Sequence, residues 1–95
     1  MVLEFAQITV LPGHEAEFES ALMQAVGTVL PEAEGFLGFT GHGWSIERPQ
    51  VYLFSIRWES LEAHTEGFRG SVLFTRWRAL IGPHFDGAPV VEHFA

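Results

Sequence analysis

The strand-like segments of this chain carry apolar side chains on both of their faces. In residues 51–58, the aromatic and branched side chains at 52, 54, 56 and 58 point one way, while Val51 and Leu53 point the other. Residues 2–11 repeat the pattern, with Leu3 and Phe5 on one face and Ile8 on the opposite one. An antiparallel sheet with one face in water alternates apolar and polar residues. A second layer must therefore cover each face of this sheet.

The chain is too short to provide both layers by itself. Its 95 residues fit one domain, spanning residues 1–95, and such a chain buries only about 60–65% of the surface that it exposes when unfolded. Hydrophobic residues make up 47% of the chain and charged residues 18%, which excludes intrinsic disorder. A ligand or a second copy of the chain is expected to cover the remaining apolar surface.

The first half of the chain predicts a strand, a helix and a strand pair. Residues 2–11 are rich in β-branched and aromatic residues and stop at a Pro-Gly turn. The next segment has residues at i, i+4, i+7 and i+11 on one apolar face, which predicts a helix that ends at Pro31: Phe18, Leu22, Ala25 and Val29. Strands at residues 35–44 and 51–58 follow, separated by a polar loop of hairpin length.

The second half predicts an interrupted helix and a last strand. Ser60 is expected to cap a short helix that carries His64 and Phe68 on one face, and Ser71 to cap a further helical stretch that stops at Gly82. Residues 89–94 form the closing strand. The order βαββαβ predicts a ferredoxin-like α+β fold, with an antiparallel sheet and the helices on one of its faces.

Charge and composition exclude several classes of function. Five arginines, no lysine and twelve acidic residues give a net charge of −7, which disfavours nucleic acid and anionic membranes as partners. The absence of cysteine removes disulfides, thiolate nucleophiles and cysteine-held metals, and the absence of lysine removes Schiff-base chemistry. No apolar run approaches a membrane span of about 20 residues and no signal-like start is present, so a cytoplasmic protein is expected.

Four stretches, in this order and spacing, resemble the antibiotic biosynthesis monooxygenase (ABM) domain family. They are ITVLPGHEAEF at 8–18, GFLGF at 35–39, WESLEAH at 58–64 and FTRW at 74–77. The resemblance runs nearly end to end and implies a dimeric α/β barrel, a homodimer in which two sheets face each other. It also implies cofactor-independent oxygenation of electron-rich phenols, anthrones or quinols in a pocket between sheet and helices.

A haem-degrading branch of that family is not what the sequence resembles. That branch uses an Asn on the first strand, a Trp in the region of the second helix and a His near the end of that region. This chain has no Asn, and the Trp and His positions fall near Gly67 and Trp77.

His64 is the candidate catalytic residue, because it replaces an apolar residue on the inward face of its helix. An imidazole with a pKa near 6.5 accepts a phenolic proton at neutral pH and leaves the more easily oxidised phenolate. The alternative is a histidine at the edge of the core that is satisfied by a backbone carbonyl.

Aromatic residues are the candidate substrate-binding set. Four of them are expected to form flat walls for a bound aromatic molecule, although aromatic residues at helical spacing also serve as plain core: Trp58, Phe68, Phe74 and Trp77. Gln7 and Arg57 are candidate anchors for a substrate oxygen, with an ion pair to a glutamate as the alternative for Arg57.

No metal site or cofactor is predicted. His42, His84, with Asp86 near it, and His93 lack the i, i+2 or i, i+4 spacing of a recognisable metal site. No nucleotide-binding loop is present either. The leading hypothesis is a cofactor-independent monooxygenase acting on a small aromatic molecule. The alternatives are a non-catalytic dimeric barrel that binds a hydrophobic small molecule, and a structural interaction module with no large pocket.

Overall fold

The protein, described over residues 1–95 by a computed structural model, has two helices and four strands. In chain order they are β1 Val2–Thr9, α1 Glu15–Thr28, β2 Phe36–Trp44, β3 Val51–Trp58, α2 Val72–Ile81 and β4 Val90–Phe94. The strands form one antiparallel sheet in the order β2-β3-β1-β4, and both helices pack on one face of it. The predicted βαββαβ order and ferredoxin-like fold are confirmed. None of the helices is long and apolar enough to cross a lipid bilayer.

Strand register decides which side chains face the helices. Glu4 pairs with Ile56 and Ala6 with Phe54, and all four are buried beneath the helices. The alternate residues of the same strands point to the opposite side, where no element covers them. We call this side the open face; it contains a groove of about 580 Å³ lined by Phe5, Gln7, Leu53, Val90, Glu92 and Phe94.

Helix α1 forms as its apolar spacing predicts. Phe18, Leu22 and Ala25 are fully buried, and so is Val29, which caps the helix C-terminus. The helix ends at Thr28, and Pro31 lies in the short 3₁₀ turn Leu30–Glu32 that follows. These residues belong to a single core that the sheet and both helices share.

The predicted short helix after Ser60 contains a π-helical turn, Ala63–Phe68, and the predicted interruption falls at residues 69–71, before α2. Ser60 Oγ accepts a hydrogen bond from the Ala63 N–H at 3.1 Å, as a capping residue does. The Arg69 N–H then donates to the carbonyl of His64 at 3.0 Å, five residues back. A Cβ at Gly70 would lie 2.5 Å from the Glu66 carbonyl oxygen, so only glycine fits where the turn closes. Turns of this kind occur frequently at functional sites, and this one carries His64.

Candidate active site

A cavity of about 430 Å³ lies between the sheet and the helices. Its floor comes from β1 and β3, its walls from the π-helical turn and α2, and its far end from the segment that leads into β4. Ten of its fifteen lining residues are hydrophobic, so a bound molecule would meet mainly apolar and aromatic surface.

Four of the seven predicted site residues line this cavity together: His64, Phe68, Phe74 and Trp77. Phe68 and Trp77 meet edge to face at 6.1 Å between ring centroids, and Phe68 meets Phe74 in the same way at 5.8 Å. The aromatic walls expected from the sequence are therefore present. Phe68 and Trp77 also belong to the hydrophobic core.

Trp58 lies behind the cavity instead of lining it. It is fully buried and stacks on His64, with 5.0 Å between ring centroids and an interplanar angle of 17°. Its contribution is to fix the plane of the imidazole.

The structure does not bring Gln7 and Arg57 to the cavity. Gln7 lies on β1 between the inward-facing Ala6 and Ile8, and Arg57 lies on β3 between Ile56 and Trp58. Because neighbouring residues of a strand point to opposite faces, both side chains project from the open side of the sheet. Anchoring a substrate oxygen beside His64 is beyond their reach.

Glu4 and His93 are the partners of His64 that sequence reasoning missed. His64 Nε2 lies 3.3 Å from Glu4 Oε1, and His64 Nδ1 lies 2.8 Å from His93 Nε2. The Trp58 indole N–H donates to the same Glu4 oxygen at 2.9 Å. Glu4 could have been found as the one carboxylate that shares its strand face with Ala6 and Ile8. His93 carried no such signal.

Burial changes the protonation behaviour of this group. Desolvation, together with the charge of Arg69 and the presence of His93, lowers the pKa of His64 from 6.5 to about 3. Burial also raises the pKa of Glu4 and lowers that of His93. The expectation of a His64 pKa near 6.5 is therefore wrong, because the imidazole is only 3% exposed and an arginine lies near it. His64 is uncharged throughout the neutral range.

Two arginines add positive charge to the otherwise apolar cavity. Arg69 and Arg78 both line it and both reach solvent. The Arg78 guanidinium lies 5.2 Å from the centre of the Phe85 ring, a cation–π contact that holds it over the cavity. Binding of a ligand that becomes negatively charged would be favoured next to these two arginines.

Sequence and structure comparisons show the family. The antibiotic biosynthesis monooxygenase family profile matches residues 1–80, and the chain belongs to this family. The chain is 42% identical to the uncharacterised Bacillus subtilis protein YczJ, with 99% of this chain and 97% of YczJ covered. A Bordetella bronchiseptica protein that carries the same family description is 38% identical, with 99% and 94% of the two chains covered, and its crystal structure superposes with a TM-score of 0.93.

Two more distant structures share the fold. One is SnoaB, a cofactor-independent oxygenase from Streptomyces nogalater, at 18% identity and a TM-score of 0.78, with 99% of this chain and 90% of SnoaB covered. The other is the ActVA-Orf6 monooxygenase of Streptomyces coelicolor, solved with the ligand Nanaomycin D, at 20% identity and a TM-score of 0.73, with 98% and 84% covered.

Proposed function

We propose that this protein is a cofactor-independent monooxygenase that oxidises a phenolic, anthrone or quinol-type compound inside the cavity. The observation that carries the proposal is a buried, uncharged imidazole backed by a carboxyl group in a cavity that is otherwise largely aromatic. The volume of about 430 Å³ falls within the range of roughly 300–1,000 Å³ that small-molecule sites occupy. Membership of the family and the name of SnoaB support the same class of reaction.

The reaction can balance without a redox cofactor. Oxidising the methylene carbon of an anthrone to a carbonyl releases four electrons. One molecule of O₂ takes them up, placing one oxygen atom in the new carbonyl and releasing the other as water. The substrate must first lose a proton, because its anion gives up an electron to O₂ far more readily than the neutral form. The protein then has to accept that proton, hold the rings and exclude water.

His64 is the proposed proton acceptor, with Glu4 behind it. Both ring nitrogens of His64 have partners, so a substrate proton reaches the ring by replacing one contact. We assign Nε2 as the accepting atom, because its 3.3 Å contact with Glu4 is the longer of the two and Glu4 also lines the cavity. Its lone pair is free to accept in the tautomer in which the Nδ1–H donates to His93 Nε2. The imidazolium that forms would be stabilised by the carboxylate form of Glu4, and Arg69 would favour the substrate anion.

The activity is tested by oxygen uptake with an anthrone or a dihydroquinone. We expect uptake well above the spontaneous rate, a quinone product, and one ¹⁸O atom from ¹⁸O₂ in each molecule of an anthrone-derived product. Heat-denatured protein serves as the control. Binding of the same compound without any acceleration would instead support the alternative, a non-catalytic barrel that carries or senses a hydrophobic molecule. The cytoplasmic location inferred from the sequence stays a prediction.

We also propose that a second copy of the chain covers the open face. Three apolar side chains there are strongly exposed in the single chain: Leu53 is 41%, Val90 64% and Phe94 46% exposed. Phe5 packs edge to face on Phe94 at 5.2 Å, which extends the apolar surface across β1 and β4. A homodimer with its two sheets face to face removes this surface from water.

Sedimentation tests this assembly. We expect a particle of twice the 10.6 kDa chain mass at micromolar concentration, and dissociation in Leu53→Glu because a carboxylate would be buried in the interface. Val72→Glu is the matched control, since Val72 is 71% exposed at the start of α2, on the helix side of the sheet. A folded wild-type monomer at that concentration would contradict the proposal.

A further inference from the structure

Two histidines that are far apart in the sequence meet outside the cavity. His14 precedes α1, and His84 ends the 3₁₀ turn that follows α2, yet their Nδ1 atoms lie 3.1 Å apart. The Glu17 carboxylate joins them, and the ligand atoms of all three residues lie within 4.8 Å of one another. None of the three lines the aromatic cavity. The separation of 70 residues explains why sequence spacing gave no sign of this group.

The main chain around this group is held by its own hydrogen bonds. The Leu11 N–H donates to the His84 carbonyl at 2.9 Å, and the Leu11 carbonyl accepts from the His14 N–H at 2.9 Å. One residue of the β1–α1 connection therefore fixes both histidines relative to each other. The Asp86 N–H donates to the Thr9 carbonyl at 2.7 Å, a second hydrogen bond between the segment after α2 and the end of β1. A site held in this way loses little conformational entropy when it binds an ion.

The distances fit a tetrahedral transition-metal ion. Two imidazole nitrogens at 2.0–2.1 Å from one tetrahedral ion are about 3.3 Å apart, close to the 3.1 Å seen between the Nδ1 atoms. Glu17 lies three residues after His14 in the first turn of α1, so a rotation of its side chain brings an oxygen to the same ion. Imidazole and carboxylate together suit Zn²⁺, with water as a fourth ligand.

We propose that His14, Glu17 and His84 form a binding site for a divalent transition-metal ion of the zinc type, which ties the end of α2 to the start of α1. The site is independent of the proposed oxidation, since its residues lie outside the cavity. Bound metal replaces the single hydrogen bond between the two rings with two metal–nitrogen bonds.

Calorimetric titration of the full chain with Zn²⁺ tests the site. We expect one ion per chain, binding at least tenfold weaker in His14→Gln and in His84→Gln, and intermediate loss in Glu17→Gln. Binding should also fall at acid pH, because the imidazoles must be unprotonated to coordinate. Saturating Zn²⁺ should raise the wild-type Tm by about 5 °C or more.

His42→Gln is the matched control, because it removes a histidine from β2 and leaves the three ligands in place. It should bind Zn²⁺ as the wild type does. Circular dichroism without metal checks that each variant is folded. If a histidine variant does not fold, the Zn²⁺ affinity of Glu17→Gln provides the test. The proposal is overturned if Zn²⁺ does not bind saturably, or if a folded His14→Gln or Glu17→Gln variant binds it as tightly as the wild type.

Discussion

Replacing His64 by glutamine is expected to lower kcat for an aromatic substrate at least a hundredfold, while the Kd of that substrate changes only a few-fold. Glutamine can still contact Glu4 and His93, but it cannot take up a proton. General-base catalysis contributes about 10²–10⁴ to a rate, and that contribution would be lost. Oxygen uptake measures kcat, and quenching of the tryptophan fluorescence, to which Trp77 in the cavity wall contributes, measures binding.

His42→Gln is again the control and should keep wild-type turnover. Unchanged kcat in His64→Gln would remove His64 from the mechanism, and equal rates with and without protein would leave only spontaneous oxidation. Because the pKa of His64 is about 3, the imidazole is in its basic form across the neutral range, and the wild-type profile should show no His64 step near pH 6–7. His64→Gln should instead turn over only the fraction of substrate that is already ionised, so its rate should rise with the ionisation of the substrate.

Acidification from pH 7.5 to pH 5.0 is expected to cost the wild type about 2 kcal/mol more free energy of unfolding than it costs His64→Gln. The pKa of His64 is 6.5 when unfolded and about 3 when folded, so between these values only the unfolded chain binds the proton. Stability is therefore lost as the pH falls below 6.5. At pH 5.0 the unfolded pKa is 1.5 units away, which corresponds to about 2 kcal/mol at 1.36 kcal/mol per unit.

Urea unfolding at the two pH values measures this difference. The contribution of Glu4 to the pH dependence of stability has the opposite sign, because its raised pKa favours the folded state at low pH. The lowered pKa of His93 adds to the loss of stability on acidification. Both groups remain in the variant, so the comparison isolates His64. His64→Phe provides a second non-titrating variant that keeps a ring against Trp58. Equal losses in the wild type and both variants would show that His64 is protonated in the folded protein.

The helix spacing and the strand order made the fold predictable from the sequence. The apolar face of α1 and the break between the last two helical stretches are local patterns, and both are seen in the structure. Which face of each strand points toward the helices was harder to predict. Because β1 and β3 carry apolar residues at both odd and even positions, the sequence did not show which side chains face the helices. Gln7 and Arg57 were therefore considered as site residues together with His64.

The candidate site was predictable only where it depends on local spacing. His64, Phe68, Phe74 and Trp77 follow one another at helical intervals, and the structure places them around one cavity. The contacts of His64 with Glu4 and His93 depend on sheet register across 60 and 29 residues, which no local pattern records. The pKa of His64 depends on those contacts and on burial, so it could not be read from the residue type.

The sharing of one Glu4 oxygen by Trp58 and His64 bears on how this protein could acquire a new substrate. Replacing Glu4 leaves the Trp58 indole N–H and His64 Nε2 without this partner, which costs about 1–3 kcal/mol for each group. The sheet side of the cavity is therefore resistant to single mutations. Phe74 on α2 and Phe85 in the segment before β4 make no such shared bond, so successive replacements there can reshape the cavity one step at a time. Divergence in substrate range should accumulate at Phe74 and Phe85, while the group of Glu4, Trp58 and His64 that handles the proton is inherited intact.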